Sequence, residues 1–379
     1  MATPSTTAPA ENLKAVVKPT PDIIRQLQQA LTDAGYSPGP LVRVETDRLH
    51  QLKAWLHNQF PDQRFNLSIA SADASFRRYF RIEFKDRSLI VMDAPPQHED
   101  CKPFINVAQL FSTADVNVPS ILSQNLTDGF LLLTDLGNVT YLQQLVASPN
   151  QAQALYSDAI DALIRIQQIS QENILPNYDR VLLQRELDLF PEWYLSRHKQ
   201  HALNQRQSDQ LQSIFSMILA NNLEQPRVFV HRDFHSRNLM VTTPSPGILD
   251  FQDAVYGPIT YDLVSLFKDA YIQWEEELIL DWVIRYWEKA RKVKLPISSD
   301  FSTFYRDFEW MGVQRHLKVL GIFARLYHRD NKAGYLNNIP LVRHYLHKTC
   351  GRYRELHLLK ALLNEVEDAP SPQQVGYTF

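Results

Sequence analysis

The chain has little cysteine: Cys101 and Cys350 are the only two among its 379 residues. Two thiols are too few for a disulfide framework, so we expect a reducing compartment. The N-terminal segment MATPSTTAPAENLKAVV lacks the apolar core of a signal peptide. No apolar run approaches the ~20 residues that a membrane-spanning helix needs. These absences predict a soluble cytoplasmic protein with no membrane partner.

The sequence also lacks a basic block or a stripe of alternating aromatic and basic residues. Its formal net charge is −3, with 44% hydrophobic and 21% charged residues. Because proteins that bind nucleic acid usually concentrate positive charge, we expect no nucleic-acid partner. Nothing in the sequence indicates an obligate protein partner. A chain of 379 residues is long for one domain and long enough to form two lobes.

The hydrophobic pattern changes along the chain. Residues 1–20 are small, polar and proline-containing, which predicts a disordered tail. A helical face begins at Thr46, a residue suited to an N-cap. Alternation at 80–84 and apolar runs at 89–92 and 130–133 predict strands, and helical patterns dominate afterwards. We therefore expect an α+β fold with a small, sheet-rich first part and a larger helical second part.

Residues 228–253, VFVHRDFHSRNLMVTTPSPGILDFQD, carry the most functional information. An HRD triplet ending in Asp233 is followed five residues later by Asn238. A short apolar run, a breaker cluster and a second apolar run ending in Asp250 come next. An antiparallel hairpin that pairs Val241 with Gly247 would place Asn238 opposite Asp250. The pattern predicts a carboxamide and a carboxylate side by side, next to a loop that carries a second carboxylate.

These residue types suit magnesium-dependent phosphoryl transfer, in which positioning and charge neutralisation dominate. Magnesium prefers oxygen ligands, which Asn238 and Asp250 would supply. A carboxylate must orient the attacking hydroxyl and accept its proton, and Asp233 is placed for that role. The spacing H-R-D-x-x-x-x-N matches the catalytic loop of kinases. Gln252 stands where kinases usually carry glycine after the metal-binding Asp.

Two further features of the sequence bear on how the HRD motif is interpreted. A second HRD triplet at residues 328–330 lacks the following Asn, and we interpret it as a polar helix end. His231, Asp233 and His235 also form H-x-D-x-H, which could hold a transition metal in a hydrolase. That class needs further clustered ligands, and the other histidines are scattered. We expect His231 to bond to the backbone, whereas His235 either packs in the loop or contacts substrate.

The chain resembles the aminoglycoside phosphotransferase and choline kinase superfamily over residues 45–365. Within it, the chain is similar to the bacterial cell-wall amino-sugar kinases. The stretches that carry this similarity are DASFRRYFR (73–81), VMDAPP (91–96), GFLLLTDLG (129–137) and residues 314–326. The resemblance implies a two-lobed protein-kinase-like fold, with a nucleotide-binding lobe at 21–136 and a catalytic and acceptor-binding lobe at 137–379.

The resemblance also implies ATP and magnesium as cofactors. The reaction would phosphorylate the anomeric (C1) hydroxyl of N-acetylmuramate and N-acetylglucosamine during peptidoglycan recycling. Asp233 would be the base, and Asn238 and Asp250 would hold the metal. Two alternatives stay open: a kinase for another alcohol, such as an aminoglycoside or a choline-like molecule, and a nucleotide-binding module without catalysis.

The nucleotide lobe departs from the usual kinase pattern. The segment 71–75 has no glycine to bring backbone amides to phosphate, and Met92 stands near the place of the phosphate-binding lysine. A cation must still neutralise the phosphates, and arginine can bind phosphate with two hydrogen bonds. The nearest candidates are Arg77, Arg78 and Arg81, of which Arg78 is the first choice, and Lys102 is a further alternative. The predicted nucleotide-binding residues are Ser75, Arg78, Thr134 and Leu136.

The acceptor site is less well defined by sequence. N-acetylmuramate carries a lactyl carboxylate, so its site should offer a cation, and N-acetyl sugars favour aromatic stacking. We therefore predict substrate contacts from His235, Trp193 and Arg315.

Overall fold

The protein is described by a computed structural model that covers residues 40–72 and 77–368. These residues form two units, which divide before Asn66. In the first unit, helix α1 (Pro40–Gln59) precedes a short loop. Helix α1 begins six residues before Thr46, so the predicted N-cap is wrong; proline is readily accommodated at the start of a helix. The ring of Phe65 lies 5.3 Å from that of His57.

The second unit begins with a five-stranded antiparallel sheet of order β1-β2-β3-β5-β4. In β2 the side chains of Phe80 and Ile82 are buried while their neighbours are more exposed, as the sequence alternation predicts. The strands are β1 (Asn66–Ala72), β2 (Arg78–Glu83), β3 (Ser88–Asp93), β4 (Ile121–Asn125) and β5 (Phe130–Thr134).

Helices make up most of the remaining chain. They are α2 (Lys102–Ser112), α3 (Tyr141–Ala147), α4 (Ala152–Gln168), α5 (Arg180–Leu187), α6 (Gln205–Glu224), α7 (Tyr261–Phe267), α8 (Glu276–Lys292), α9 (Phe301–Asp330), α10 (Ile339–Arg352) and α11 (His357–Asp368). Residues Phe190–His198 form a π-helix, and short 3₁₀ turns lie at Pro149–Gln151, Ala333–Asn338 and Arg354–Leu356. Four short strands between α6 and α7 are β6 (Arg227–Val230), β7 (Leu239–Met240), β8 (Gly247–Ile248) and β9 (Val255–Pro258).

One hydrophobic core runs from the sheet into the helices. Met92 and Leu131 pair across β3 and β5, and both are fully buried in it. On α2, the ring of Phe104 lies 4.9 Å from the ring of Phe251, the residue after Asp250. The core therefore connects the sheet directly to the segment that follows β8.

Helix α9 is the longest element and crosses the helical part of the unit. Its Gly321 lies so close to Leu189 that an added Cβ would come within 2.5 Å of the Leu189 backbone. The helix ends at Asp330, and Asn331 follows with a left-handed φ of 54°. The second HRD triplet is therefore a helix end, as predicted.

The α+β prediction is confirmed by this arrangement of sheet and helices. The predicted lobe boundary after residue 136 stays a prediction; it falls between β5, which ends at Thr134, and α3, which begins at Tyr141. The predicted tail at 1–20 lies outside the described residues. Within the described ranges, no helix has the length and hydropathy needed to cross a membrane.

Candidate active site

Two small antiparallel hairpins position the HRD loop and Asp250. Strand β6 pairs with β9, and β7 pairs with β8. The HRD loop connects β6 to β7, and Asp250 follows β8 by two residues. Each of the four strands spans only two to four residues.

The predicted register of the β7–β8 hairpin is wrong by one residue. Leu239 pairs with Ile248 and Met240 with Gly247, and the Leu249 amide donates to the Asn238 carbonyl across 2.9 Å. Val241 leaves the hairpin and donates instead to the carbonyl of Val139 at 2.9 Å. The sequence pattern predicts the position of the turn correctly, but it does not predict which two residues form the last pair of the hairpin.

Asn238 and Asp250 nevertheless lie side by side. Asp250 adopts a left-handed φ of 63°, and its Oδ2 accepts from Asn238 Nδ2 at 3.3 Å. The same Nδ2 donates to the Asp233 carbonyl at 3.0 Å, while Gln252 Nε2 donates to Asp250 Oδ1 at 2.9 Å. Because Asn238 bonds through its nitrogen, its amide oxygen and the Asp250 carboxylate form an oxygen donor set suited to magnesium.

Asp262, at the start of α7, anchors the HRD loop. Its carboxylate accepts from the backbone amides of His231 at 2.7 Å and Arg232 at 3.0 Å, and Arg232 has a left-handed φ of 76°. Burial raises the pKa of Asp262 to about 7 despite these hydrogen bonds. From the sequence, Asp262 is expected to be a loop or helix-cap residue, whereas the structure buries it. An acid among apolar neighbours in TYDLVSLF was the available signal for a buried anchor.

His231 is a structural residue, as predicted. Its Nδ1 accepts from the Asp233 amide at 3.2 Å, and its Nε2 lies 3.0 Å from the Leu249 carbonyl, to which it donates in that tautomer. Burial lowers its pKa to about 4. With both ring nitrogens bonded to backbone, His231 is not a metal ligand. Within residues 40–72 and 77–368 there is also no cluster of three His, Cys, Asp or Glu that could hold a metal. The H-x-D-x-H interpretation therefore has no structural support.

A buried ionic network lies behind the loop and centres on Glu186 of α5. Its carboxylate accepts from Arg232 at 2.5 Å and Gln314 at 3.2 Å, and Lys318 lies 2.9 Å away. Tyr178 donates a further hydrogen bond. Burial alone would raise the pKa of Glu186, but Lys318 and Arg232 outweigh it and hold the pKa at about 2. Glu186 is therefore a buried anion, and sequence reasoning missed it.

Asp233 carries a negative charge in this setting. Burial would raise its pKa, but Lys318, Arg315, His235 and Arg232 together lower it to about 2. Arg315 donates from Nη1 to the Arg232 carbonyl at 2.9 Å and to the Tyr261 hydroxyl at 3.1 Å. Asp233 is thus ionised at neutral pH and able to accept a hydrogen bond from an alcohol.

Two of the predicted nucleotide-binding residues, Arg78 and Thr134, lie at opposite ends of the sheet, because Arg78 pairs with Asp93 whereas Thr134 pairs with Leu89. Thr134 ends β5 and accepts from the Ser120 amide through Oγ1 at 2.9 Å, and Leu136 follows, partly buried. Arg78 donates to Asp93 at 2.5 Å. Ser75 lies outside the described residues. Their roles toward a nucleotide stay predictions.

Arg81 ties β2 to the segment that follows β5. Its guanidinium donates two hydrogen bonds to Asp135, at 2.6 and 2.9 Å, and one to the Gly137 carbonyl at 2.9 Å. Burial opposes ionisation of Asp135, but hydrogen bonds from Arg81, Ser88 and the Gly137 amide keep its pKa below the ordinary value. This bidentate pair fixes the Thr134–Gly137 segment against the sheet.

The three predicted acceptor residues have different surroundings. The His235 ring lies 5.4 Å from that of Tyr271, and its Nδ1 is buried without a hydrogen-bond partner among the described residues. Arg315 is only 7% exposed and is held by the loop contacts above. Trp193 is partly buried on the π-helix, with the Arg197 guanidinium 4.6 Å from its ring. Their contacts with a substrate stay predictions.

The chain combines a five-stranded antiparallel sheet, a following helical part, and a loop that brings Asp233 together with Asn238 and Asp250. This combination defines a kinase-like phosphotransferase. Residues 66–293 match the APH family, described as the phosphotransferase enzyme family. The chain belongs to this family and is an enzyme of the phosphotransferase class.

The chain aligns with nearly the whole length of two relatives. A protein of Neisseria meningitidis serogroup B, named N-acetylmuramate/N-acetylglucosamine kinase, is 49% identical over 332 residues, which cover 87% of this chain and 98% of that protein. A protein of Pseudomonas aeruginosa with the same name is 48% identical over 326 residues, which cover 83% of this chain and 96% of that protein.

Solved structures confirm the fold. The ADP-bound aminoglycoside phosphotransferase APH(2'')-Ib superposes with a TM-score of 0.53 at 15% identity, covering 78% of this chain and 97% of that one. The GDP complex of aminoglycoside 2'-phosphotransferase-IIIa superposes with a TM-score of 0.56 at 15% identity, covering 81% and 99%. At this identity the likeness concerns the fold alone. It confirms the predicted kinase-like architecture with a sheet-rich N-lobe and a larger helical C-lobe.

Proposed function

We propose that the protein transfers the γ-phosphoryl group of ATP to the anomeric (C1) hydroxyl of N-acetylmuramate and N-acetylglucosamine, in the cytoplasmic recycling of peptidoglycan. The names of the two relatives support amino sugars as the acceptors, and the family supports phosphoryl transfer. The observation that carries the proposal is the convergence of the Asp233 loop, Asn238 and Asp250, with Asn238 Nδ2 within 3.0 Å of the Asp233 carbonyl and 3.3 Å of the Asp250 carboxylate.

Asp233 would orient the sugar hydroxyl and accept its proton. In the proposed step, the C1 oxygen bonds to the γ-phosphorus, the bond from that phosphorus to the β–γ bridging oxygen breaks, and ADP leaves. A carboxylate whose pKa is held at about 2 is a weak base, so we infer that it takes the proton late. An anomeric hydroxyl is more acidic than an ordinary alcohol, which makes such modest help sufficient.

Asn238 and Asp250 would hold magnesium through oxygen atoms, which are the ligands that this cation prefers. When bound, the metal would supply positive charge at the phosphates. Gln252 and Asn238 keep the Asp250 carboxylate in place through hydrogen bonds of 2.9 and 3.3 Å. The protein's own contribution is therefore to pre-position these oxygens before the nucleotide arrives.

The Thr134–Gly137 segment would meet the adenine edge, with Thr134 and Leu136 as its contacts. Arg78 and Ser75 would face the phosphates; Arg78 pairs with Asp93, the residue after Met92 at the end of β3. Arg78 is paired with Asp93 at 2.5 Å, so binding phosphate would require it to exchange or share that partner. His235, Trp193 and Arg315 are the proposed contacts of the sugar.

The test is ADP release from ATP and magnesium with N-acetylmuramate, N-acetylglucosamine, choline and kanamycin in parallel. Turnover of the two amino sugars alone supports the proposal. Turnover of choline or kanamycin instead would assign another alcohol as the acceptor. No turnover with any acceptor, together with nucleotide binding in a titration, would indicate a binding module and contradict the proposal.

A further inference from the structure

Two buried aspartates at the ends of helix α7 reach the HRD loop on either side of Asp233. Asp262 lies in the first turn of α7 and holds the two backbone amides that precede Asp233. Asp269 lies two residues after the helix ends and holds Ser236, three residues after Asp233. All seven residues of α7 are buried, so the helix that connects the two carboxylates is part of the core.

The contact between Asp269 and Ser236 is a double hydrogen bond. Oδ2 of Asp269 accepts from the Ser236 amide at 3.0 Å and from the Ser236 hydroxyl at 2.5 Å. Asp269 is 2% exposed and Ser236 is fully buried. Hydrogen bonds to a charged acceptor are stronger than those between neutral groups, and a buried polar group is costly to leave unpaired. Asp269 therefore holds Ser236 in one orientation.

Ser236 lies at the centre of the turn that connects the proposed base to the proposed metal ligand. Its carbonyl accepts from the amide of Leu142 in α3 at 2.9 Å. Within the turn, the His235 amide donates to the Asp233 carbonyl at 3.0 Å, and the Asn238 amide donates to the His235 carbonyl at 2.9 Å. A shift of Ser236 would consequently move both ends of the turn.

The second oxygen of Asp269 holds the segment that packs on His235. Its Oδ1 accepts from the Tyr271 amide at 3.0 Å. The Tyr271 ring lies 5.4 Å from the His235 ring and 6.1 Å from the ring of Phe323 in α9. One buried carboxylate thus fixes both the turn and the aromatic ring that contacts it.

We propose that Asp269 is a positioning residue for phosphoryl transfer, which acts through Ser236 to set the Asp233 carboxylate against the oxygens of Asn238 and Asp250. This inference rests on the proposed function. Asp262 holds the start of the loop and Asp269 holds its middle, so the base lies between two anchors on one buried helix. Placement of reacting groups matters at this scale, because a displacement of about 1 Å can lower a rate by about a hundredfold.

The first test is the kcat of Asp269→Asn with both amino sugars, expressed per ATP-binding site counted by titration, so that unfolded protein is not included. The amide group of asparagine has one acceptor oxygen, which cannot serve both Ser236 and Tyr271. We expect kcat to fall by about tenfold to a hundredfold, while the KM values for ATP and sugar change little.

The second test is a double-mutant cycle with Ser236→Ala. This variant removes the hydroxyl but keeps the buried charge, and it should lower kcat by at least about threefold. If both residues act through the same contact, the loss in the double variant should be smaller than the product of the two single losses. Should Asp269→Asn fail to bind ATP, Ser236→Ala decides alone.

Asp300→Asn is the matched control. Asp300 also accepts from the amide and the hydroxyl of one residue, Thr303, at 2.9 and 2.7 Å, but it does so on the surface at the start of α9. Its kcat per ATP-binding site should equal that of the unmodified protein.

An unchanged kcat per ATP-binding site in Asp269→Asn, or in Ser236→Ala, would overturn the proposal. Losses that multiply in the double variant would overturn the route through Ser236. An increase in the KM values with an unchanged kcat would assign Asp269 to substrate binding and would also contradict the proposal. Failure of the unmodified protein to phosphorylate either sugar would instead contradict the proposed function.

Discussion

Glu186 and Arg232 form a largely buried ion pair with a separation of 2.5 Å, although they are 46 positions apart in the chain. The same carboxylate is 2.9 Å from Lys318 of α9. Helices α5 and α9 are thereby joined to the residue directly before Asp233. The position of Asp233, the proposed base, therefore depends on the charge of Glu186, which lies behind the loop.

We expect Glu186→Gln to destabilise the protein by about 3–5 kcal/mol at neutral pH, because it leaves two buried cations without their anion. The pKa of Glu186 is depressed to about 2, so its stabilising contribution is fully present above its ordinary value of 4.5 and is lost as the pH falls toward 2. The difference in free energy of unfolding between the native protein and the variant should therefore shrink over that window. Urea unfolding at several pH values measures it.

Glu355→Gln is the control for this variant. Glu355 pairs with Arg306 at 2.9 Å on the surface, with both side chains more than 40% exposed. An exposed pair contributes less than about 1 kcal/mol. If the two variants lower the free energy of unfolding equally, the buried network stabilises the protein no more than a surface ion pair does.

Asp233→Asn should lower kcat by about 10²–10⁴ without loss of nucleotide binding, as expected when a general base is removed. Steady-state kinetics and an ATP titration measure the two effects. Asp330→Asn is a control in the same three-residue context, since Asp330 ends the second HRD triplet on α9. An undiminished rate in Asp233→Asn would exclude the proposed role.

Asp250→Ala should abolish the effect of magnesium on ATP affinity, because it removes the charged oxygen ligand. Asn238→Ala should weaken the effect too, since it also removes the donor to Asp250 Oδ2 at 3.3 Å. Calorimetric titration of ATP with and without magnesium gives the two affinities needed for each protein. Asp253→Ala changes an exposed carboxylate three residues away and should bind as the unmodified protein does. Persistence of the magnesium effect in Asp250→Ala would remove Asp250 from the metal site.

Arg81→Lys should raise the KM for ATP about tenfold or more while changing the KM for sugar little. Lysine cannot keep both hydrogen bonds to Asp135 and the third to Gly137, and a hydrogen bond to a charged group is worth about 1.5–3 kcal/mol. Arg87→Lys serves as the control, because Arg87 lies on an exposed turn, 4.0 Å from Asp86. Parallel increases in both KM values would instead indicate a general loss of folding.

Local patterns in the sequence predicted those parts of the molecule that local chemistry determines. Alternation at Phe80 and Ile82 predicted β2, and the spacing from Asp233 to Asn238 predicted a loop that returns to Asp250. The predicted hairpin register was wrong because Val241 leaves the hairpin and donates to the Val139 carbonyl, a long-range contact that sequence alternation does not encode. The roles of these side chains toward nucleotide and sugar stay predictions.

The supports of the site left no comparable local signal. Asp262 holds the HRD loop from 30 and 31 residues away, and Gln314 reaches Glu186 across 128 residues. Such contacts depend on which helices pack together, and a single sequence does not state that. Arg81 shows the same limit: its place near Arg77 and Arg78 in the sequence suggested a phosphate contact, whereas it donates three hydrogen bonds to Asp135 and Gly137.

Gly321 has no functional group, yet the close approach of its Cα to the Leu189 backbone fixes where α9 can lie. Two turns or less along that helix are Gln314, Arg315 and Lys318, which reach Glu186, the HRD loop and Tyr261. A side chain at position 321 would push the helix outward and carry these three groups with it. A mutational scan scored for activity alone would therefore place this glycine among the residues of the chemistry, although it touches none of it.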